Sequence, residues 1–420
     1  MDSPHPVRVV ILGGGFAGIS AATELARLIG RDASAEVHLV SNENYFVFQP
    51  LLPEVLSCGV EPGHILNPIR LLCPNISFHC ATVTGVDLAT RRVALIGSDE
   101  RRRRSLPYDH LIWCLGLKMD LAHVPGMSAH AFPIKTLGDV FHVRNHLLQR
   151  LEEAELEQDE LVRRRLLTVV AVGGGFSGVE SIAAVNDLLR SALTYYPRVR
   201  ATGYRAVLIH SGNRLLAELD PALSAYALTT VTRQGVEVRL NTSVREATVS
   251  AVALSTGDIL STGTVLCTVG QGPHDVVRAM ALPQERGRLL VDEYMRVRET
   301  DHHWAIGDGA LIPDRTRGGF CPPTAQYAMR QGTQCAQNVW AALRGAPLRP
   351  FQFGGFGQLA AVGRHCGVGS LFGLKISGFV AWFVWRMVYL AKVPGLRCKL
   401  LVGFDWLLES LFPRNITKME

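Results

Sequence analysis

The stretch GGGFAGIS at residues 13–20 returns as GGGFSGVE at 173–180. The flanks repeat too: VRVVI leads into the first copy and LTVVAV into the second. Each flank is a short β-branched run, the pattern of a buried strand, followed by a glycine turn and a helical pattern. Gly13, Gly15 and Gly18, and again Gly173, Gly175 and Gly178, have G-x-G-x-x-G spacing. There the first glycine permits a tight turn, the second lets backbone approach a pyrophosphate, and the third lets helix pack close to strand. The helix start offers phosphate its unpaired N–H groups and a positive dipole end. One such loop is weak evidence. Two, each between strand and helix, predict an α/β protein with two Rossmann-like domains for two different nucleotides. A duplicated fold with one silent site is the alternative.

The 420 residues suggest about two to three domains. A hydrophobic content of 48% is ample for large cores. The net charge of +6, from 43 basic and 37 acidic residues, is too mild to suggest a nucleic-acid partner. The N-terminal sequence enters a strand at once, without the features of a secretory signal. Nine scattered cysteines, never spaced C-x-x-C, fit a reducing cytoplasm and predict neither a disulfide framework nor a metal site.

Around the repeat, EVHLV (36–40) reads as the second strand of the first unit. NYFVFQPLLPEV (44–55) reads as a pocket lining or a packed connector. Strand pairs are expected near 76–86 and 91–96, with ERRRR (100–104) as a solvated hairpin tip. The strand HLIWCLG closes the first unit at Gly116, and VLCTVG closes the second at Gly270, so the repeat extends beyond the glycine loops. Residues 142–167 read as one charged surface helix. Asp308, between Gly307 and Gly309 after a short apolar strand, can accept hydrogen bonds from a polyol or serve as a helix N-cap. Ala325 and Gln326 open a helix that follows two prolines. The expected division is 1–118 and 271–345 for the first nucleotide domain, 119–270 for the second, and 346–420 as a C-terminal region.

In that C-terminal region, Leu371–Ala391 is apolar but broken by Lys375 and Arg386, and its longest uncharged stretch, Ile376 to Trp385, is too short for a span of about 18 residues. It reads as a buried core helix or as an interfacial segment. Trp382, Trp385, Tyr389, Trp406 and Phe412 among basic residues favour the headgroup layer of a membrane.

In this order the motifs resemble those of type II NADH dehydrogenases, the single-chain, non-pumping NADH:quinone oxidoreductases. The resemblance runs from the first glycine loop through FQPLL, the second loop with its glutamate, TVG, AIGDG and PPTAQ to the amphipathic tail. It implies FAD as cofactor, NADH or NADPH as substrate, quinone as partner, and a peripheral place on the cytoplasmic face of a membrane; it leaves a homodimer open. By resemblance, Gly13, Gly15, Phe16, Ala17 and Gly18 form the FAD pyrophosphate loop. Gln49, Pro50 and Leu51 lie beside the flavin, Gly116, Gly307 and Asp308 complete the FAD site, and Ala325 and Gln326 line the quinone site. Gly173, Gly175, Phe176, Ser177, Gly178 and Gly270 hold the nicotinamide dinucleotide. Glu180 follows that loop as a catalytic group; read from the residues alone, it could equally complement the helix dipole. Likewise Gln326 could be a catalytic amide on quinone or a structural amide.

Two departures bear on specificity. The first unit has Ser41 where an acid is frequent, with Glu43 as substitute. The second has His210 where an NADH enzyme places glutamate on the adenosine ribose. Histidine does not repel a 2′-phosphate, so NADH and NADPH are both admitted. A sulfide:quinone reductase is the nearest rival, held open by Cys321; a flavin redox sensor without turnover is a second.

Overall fold

Val7–Leu12 and Thr168–Val172, the two β-branched runs, are the central strands of two parallel five-stranded sheets. The computed structural model describes residues 5–418 apart from 31, 33, 98, 100 and 101. By backbone proximity the chain divides into two units. One comprises 1–47, 67–118 and 271–355, the other 48–66, 119–270 and 356–420. The segment 48–66, expected with the first nucleotide domain, thus groups with the second unit, as do 356–420.

In the first unit the sheet order is His303–Ala305, His110–Trp113, Val7–Leu12, Ala35–Ser41, Ser77–Cys80. All neighbours are parallel, and Leu12 pairs with Val40 on one side and Trp113 on the other. Residues Val9 to Leu12 are fully buried, as an unbroken apolar run in a parallel sheet should be. Helices Phe16–Ile29 and Ala325–Leu343 pack on each other. A hairpin pairs Arg92–Ile96 with Arg103–Pro107, so Arg103 and Arg104 are strand residues rather than a tip. Glu100 and Arg101 lie outside the described residues.

One polar network crosses this core. The indole of Trp113 donates to His303 Nδ1 at 3.2 Å, and that of Trp304 to His110 Nδ1 at 3.3 Å. Burial lowers the pKa of both histidines to about 4, with nearby His302 adding to the shift, so both rings are neutral at pH 7.

The second unit repeats the plan. Its sheet order is Phe132–Pro133, Thr264–Cys267, Thr168–Val172, Arg205–Ile209, Val236–Arg239, again parallel throughout. The stretch read as one helix over 142–167 is two, Leu137–Leu156 and Glu160–Leu166. Asp159 breaks it by capping the second, accepting from the N–H groups of Leu161 and Val162. The first is no surface helix throughout: Val140, Val143, Leu147 and Leu151 are buried.

The C-terminal part differs most from its sequence reading. Gly357–Ala361, Gly367–Leu371 and Leu374–Ser377 form an antiparallel sheet, followed by helices Gly378–Lys392 and Leu396–Leu411. Hence Leu371–Ala391 is a strand end, a turn, a strand and a helix. Trp385 and Trp406, expected at headgroups, are buried. Lys375 pairs with Asp220 at 2.7 Å and Arg386 with Glu409 at 2.7 Å, which removes two cations from the expected basic surface. The large hydrophobic side chains that the two helices expose include Phe379, Val380, Phe383 and Met387 on one, and Leu400, Phe404, Leu407 and Leu411 on the other. Among the described residues, no helix is long and apolar enough to cross a membrane.

Candidate functional site

In the first unit the glycine loop follows the carboxyl end of the central strand, where α/β sheets bind ligands. Gly13 has φ +113, a conformation closed to other residues in practice. A Cβ on Gly18 would stand 1.8 Å from the Gly13 carbonyl oxygen, so helix and strand meet only because both are glycine. Beside Gly15 nothing lies within 4 Å, which leaves a cradle open for a phosphate group. Gly14 packs on Ser41, the residue that ends the second strand.

Packing gathers the distant members of this site. Asp308 sits in a 3-10 turn, Gly307–Gly309, and does not cap the following helix, whose N-cap is Thr324. The Gly307 N–H donates to Gln331 Oε1 at 2.9 Å, which ties the turn to the 325–343 helix. Gly309 packs on the backbone of Gly116, and Gly307 faces Ala17. The loop with Phe16 and Ala17, Gly116 and Asp308 are thus brought together, and the cradle fits a dinucleotide, with Asp308 a carboxylate of the kind that accepts hydrogen bonds from hydroxyls. Glu43 is exposed just past the second strand, where its carboxylate, after burial, raises the pKa of the Tyr45 phenol. Ala325 and Gln326 begin the 325–343 helix and are half-buried. Gln331 escaped the sequence reading; its signal was a second glutamine on the helix that Gln326 opens.

The second unit matches this geometry residue for residue. Gly173 has φ +122, a Cβ on Gly178 would lie 1.8 Å from the Gly173 carbonyl oxygen, and Gly175 is open. Thr268, in the TVG run, donates through Oγ1 to the Val172 carbonyl at 3.0 Å and braces Gly173 and Gly178. His210 follows the second strand as Ser41 does in the first. Its ring lies against Gly174 and Gly212, and its Nδ1 accepts the Gly174 N–H at 3.2 Å. A cavity of about 230 Å3 opens here, lined by Gly173, His210, Ser211, Ser243, Val269 and Gly270. Phe176 and Ser177 open the helix after this loop. Gln49, Pro50 and Leu51 form a 3-10 turn in this unit.

Glu180 lies one turn into the 176–192 helix, too far in to complement its first turn. Its Oε1 accepts the Ala361 N–H at 3.0 Å. Burial raises its pKa to about 8, opposed by that N–H and by the nearby Trp385 indole. The carboxyl is thus mostly protonated at neutral pH. Glu180 and Gln326 belong to different units. Cys321 is buried, and burial, with Asp314 close by, pushes its thiol up to about 11. All nine cysteines are free. A protonated thiol is a poor nucleophile, which weighs against sulfide chemistry.

The pyridine nucleotide-disulphide oxidoreductase family pattern matches residues 7–332, and the NDH2 C-terminal domain pattern matches residues 356–415. The chain is 31% identical over 411 residues to demethylphylloquinone reductase NdbB of Synechocystis sp., covering 96% of each protein. It is 27% identical over 434 residues to the type II NADH:quinone oxidoreductase Ndh of Mycobacterium tuberculosis, covering 98% of this chain and 90% of that one. Its fold is similar to that of NDH2 from Plasmodium falciparum solved with NADH. The TM-score is 0.91 at 19% identity, covering 98% of this chain and 100% of that one.

Proposed function

The chain belongs to the pyridine nucleotide-disulphide oxidoreductase family and carries an NDH2 C-terminal domain, and we propose that it works as a type II NAD(P)H:quinone oxidoreductase. It takes hydride from NADH or NADPH and delivers the electrons to a quinone without pumping protons. The observation that carries this reading is the doubled glycine cradle, one in each unit, in a chain that ends in the NDH2 domain.

Gly13, Gly15, Phe16, Ala17, Gly18, Glu43, Gly116, Gly307, Asp308 and Ala325 would hold FAD. When bound, FAD supplies a carrier that takes up a hydride and releases electrons. The chain contributes position and charge. The 13–18 loop presents N–H groups to pyrophosphate, and Asp308 accepts from hydroxyls. Gly173, Gly175, Phe176, Ser177, Gly178 and Gly270 shape the nicotinamide dinucleotide site, with His210 at its ribose. Gln326 would donate its amide N–H to a quinone carbonyl oxygen, and Glu180, in the second unit, would orient the nicotinamide amide.

The exposed apolar stripes of the two last helices support attachment to a membrane surface by side chains rather than by a span. The face expected is the cytoplasmic one. Steady-state turnover tests the whole reading. NADH or NADPH should drive reduction of a short-chain quinone, and sulfide should not. Turnover with sulfide and none with either nucleotide would replace it with the rival quinone reductase.

A further inference from the structure

The Gly307–Gly309 turn that carries Asp308 is held from both ends. Within it, the Ala310 N–H closes on the Gly307 carbonyl. Beyond it, the Gly307 N–H donates to Gln331 Oε1 at 2.9 Å, and the Ala310 carbonyl accepts from Arg288 Nη2 at 2.7 Å. One brace is a neutral amide. The other is a guanidinium, a group that keeps its charge at any physiological pH.

Local geometry brings Arg288 there. Gln284 pairs with Leu289 and Glu285 with Arg288, which leaves Arg286 and Gly287 as the loop of a tight hairpin. Both have positive φ, +50 and +72, as the favoured two-residue hairpin turns require. A Cβ on Gly287 would stand 2.2 Å from Pro273 Cγ, so the loop packs where only glycine fits. The returning strand, Arg288–Leu290, then runs parallel to Ala310–Leu311, with Leu289 opposite Ala310. Arg288 therefore begins its strand beside the end of the Asp308 turn. Its side chain is half-buried, and its Nε is buried without a hydrogen-bond partner among the described residues. Burial lowers the pKa of the guanidinium, opposed by nearby Asp308 and then by Cys321. Keeping a cation there costs desolvation that a neutral donor would avoid.

We propose that Arg288 is a positioning residue whose positive charge, at the Ala310 end of the Asp308 turn, holds that turn for FAD and raises the reduction potential of the bound cofactor. The proposal rests on the reading that FAD occupies the first glycine cradle. Hydride uptake from the nicotinamide, two electrons with one proton, leaves a bound cofactor one unit more negative. A fixed cation nearby favours that form over the oxidised one. Gln331 supplies the matching brace without charge, and Asp308 supplies charge of the opposite sign.

The test measures two quantities: the two-electron midpoint potential of the FAD-loaded protein, by reduction against a dye of known potential, and the affinity of the apoprotein for oxidised FAD. Arg288→Gln, which keeps a donor and loses the charge, should move the reduction equilibrium about tenfold toward the oxidised form, a fall of about 30 mV for a two-electron couple. Arg288→Ala should show the same fall and also bind oxidised FAD about tenfold more weakly, the loss of about one hydrogen bond. Arg288→Lys should keep the wild-type potential. Arg288→His keeps the test open should the neutral variants not hold FAD. A histidine with a pKa of about 6.5 is charged at about pH 5.5 and neutral at about pH 8, so its potential should match the wild type at the lower pH and fall below it at the higher. Potentials that stay equal to the wild type in both Arg288→Gln and Arg288→His would overturn the role of the charge, whatever happens to FAD affinity. A fall in Arg288→Lys as large as in Arg288→Gln would mean packing rather than charge and overturn it as well. A wild type that holds no FAD would overturn the cofactor reading, and this role with it.

Discussion

His210 Nδ1 accepts the backbone N–H of Gly174 at 3.2 Å. An accepting ring nitrogen carries no proton, so the proton of the neutral ring sits on Nε2. His210, at the proposed ribose position, is therefore held onto the glycine loop itself. A glutamate there would accept from the ribose 2′- and 3′-hydroxyls and repel a 2′-phosphate. The wild type should accept both nucleotides. His210→Glu should move the kcat/KM ratio toward NADH by on the order of 1–3 kcal/mol, the scale of a charge-assisted hydrogen bond. A strong NADH preference in the wild type that His210→Glu leaves unaltered would place the ribose elsewhere.

Gln326 opens the 325–343 helix, and Gln331, further along it, holds the Asp308 turn. The two amides should separate in function. Gln326→Ala should slow reoxidation by quinone roughly tenfold, the loss of about one hydrogen bond, and spare reduction by nicotinamide. Gln331→Ala should instead weaken FAD retention, read as the flavin-to-protein ratio after dialysis. The opposite assignment of effects would reverse the roles.

The apolar stripes of the last two helices make a mutational prediction that Trp385 and Trp406 do not. Phe383→Ser, Phe404→Ser and Leu407→Ser together should release the protein from vesicles in a flotation assay. Burying each such side chain contributes on the order of 1.5–3 kcal/mol. Turnover with a water-soluble acceptor should persist. Undiminished flotation would mean that another surface meets the lipid.

His110 and His303 set an acid limit on stability. Their folded pKa values, about 4, lie below the unfolded value of about 6.5. The neutral rings thus contribute stability that is complete above about pH 6.5 and is lost as pH falls from there toward 4. His303→Phe should flatten the fall of Tm with pH in that window, relative to the wild type. Parallel Tm curves for the two proteins would remove His303 from the acid response.

The glycine loops were legible in sequence because their chemistry is local. Gly13 and Gly18, or Gly173 and Gly178, meet each other across one turn between an adjacent strand and helix. Gln331 and Thr268 were not legible as site-builders, since each acts on backbone that folding brings from elsewhere in the chain, helix packing for Gln331 and the sheet for Thr268. The tail misled for a similar reason. Its apolar composition hides the turn at Phe372 and Gly373, both at positive φ. The partners that neutralise its cations also include Asp220, far back in the chain. Composition reported that aromatic residues were there, and only packing decided that Trp385 turns inward while Phe383 turns out.

The central claim, that two cradles serve one FAD-mediated transfer from nicotinamide to quinone, is tested most directly by anaerobic stopped flow on the purified protein. Mixing with NADH or NADPH should bleach the flavin absorbance in full, and a second mixing with a short-chain quinone should restore it, cycle after cycle. Protein that holds no flavin, or flavin that the nicotinamide bleaches and quinone never restores, would contradict it.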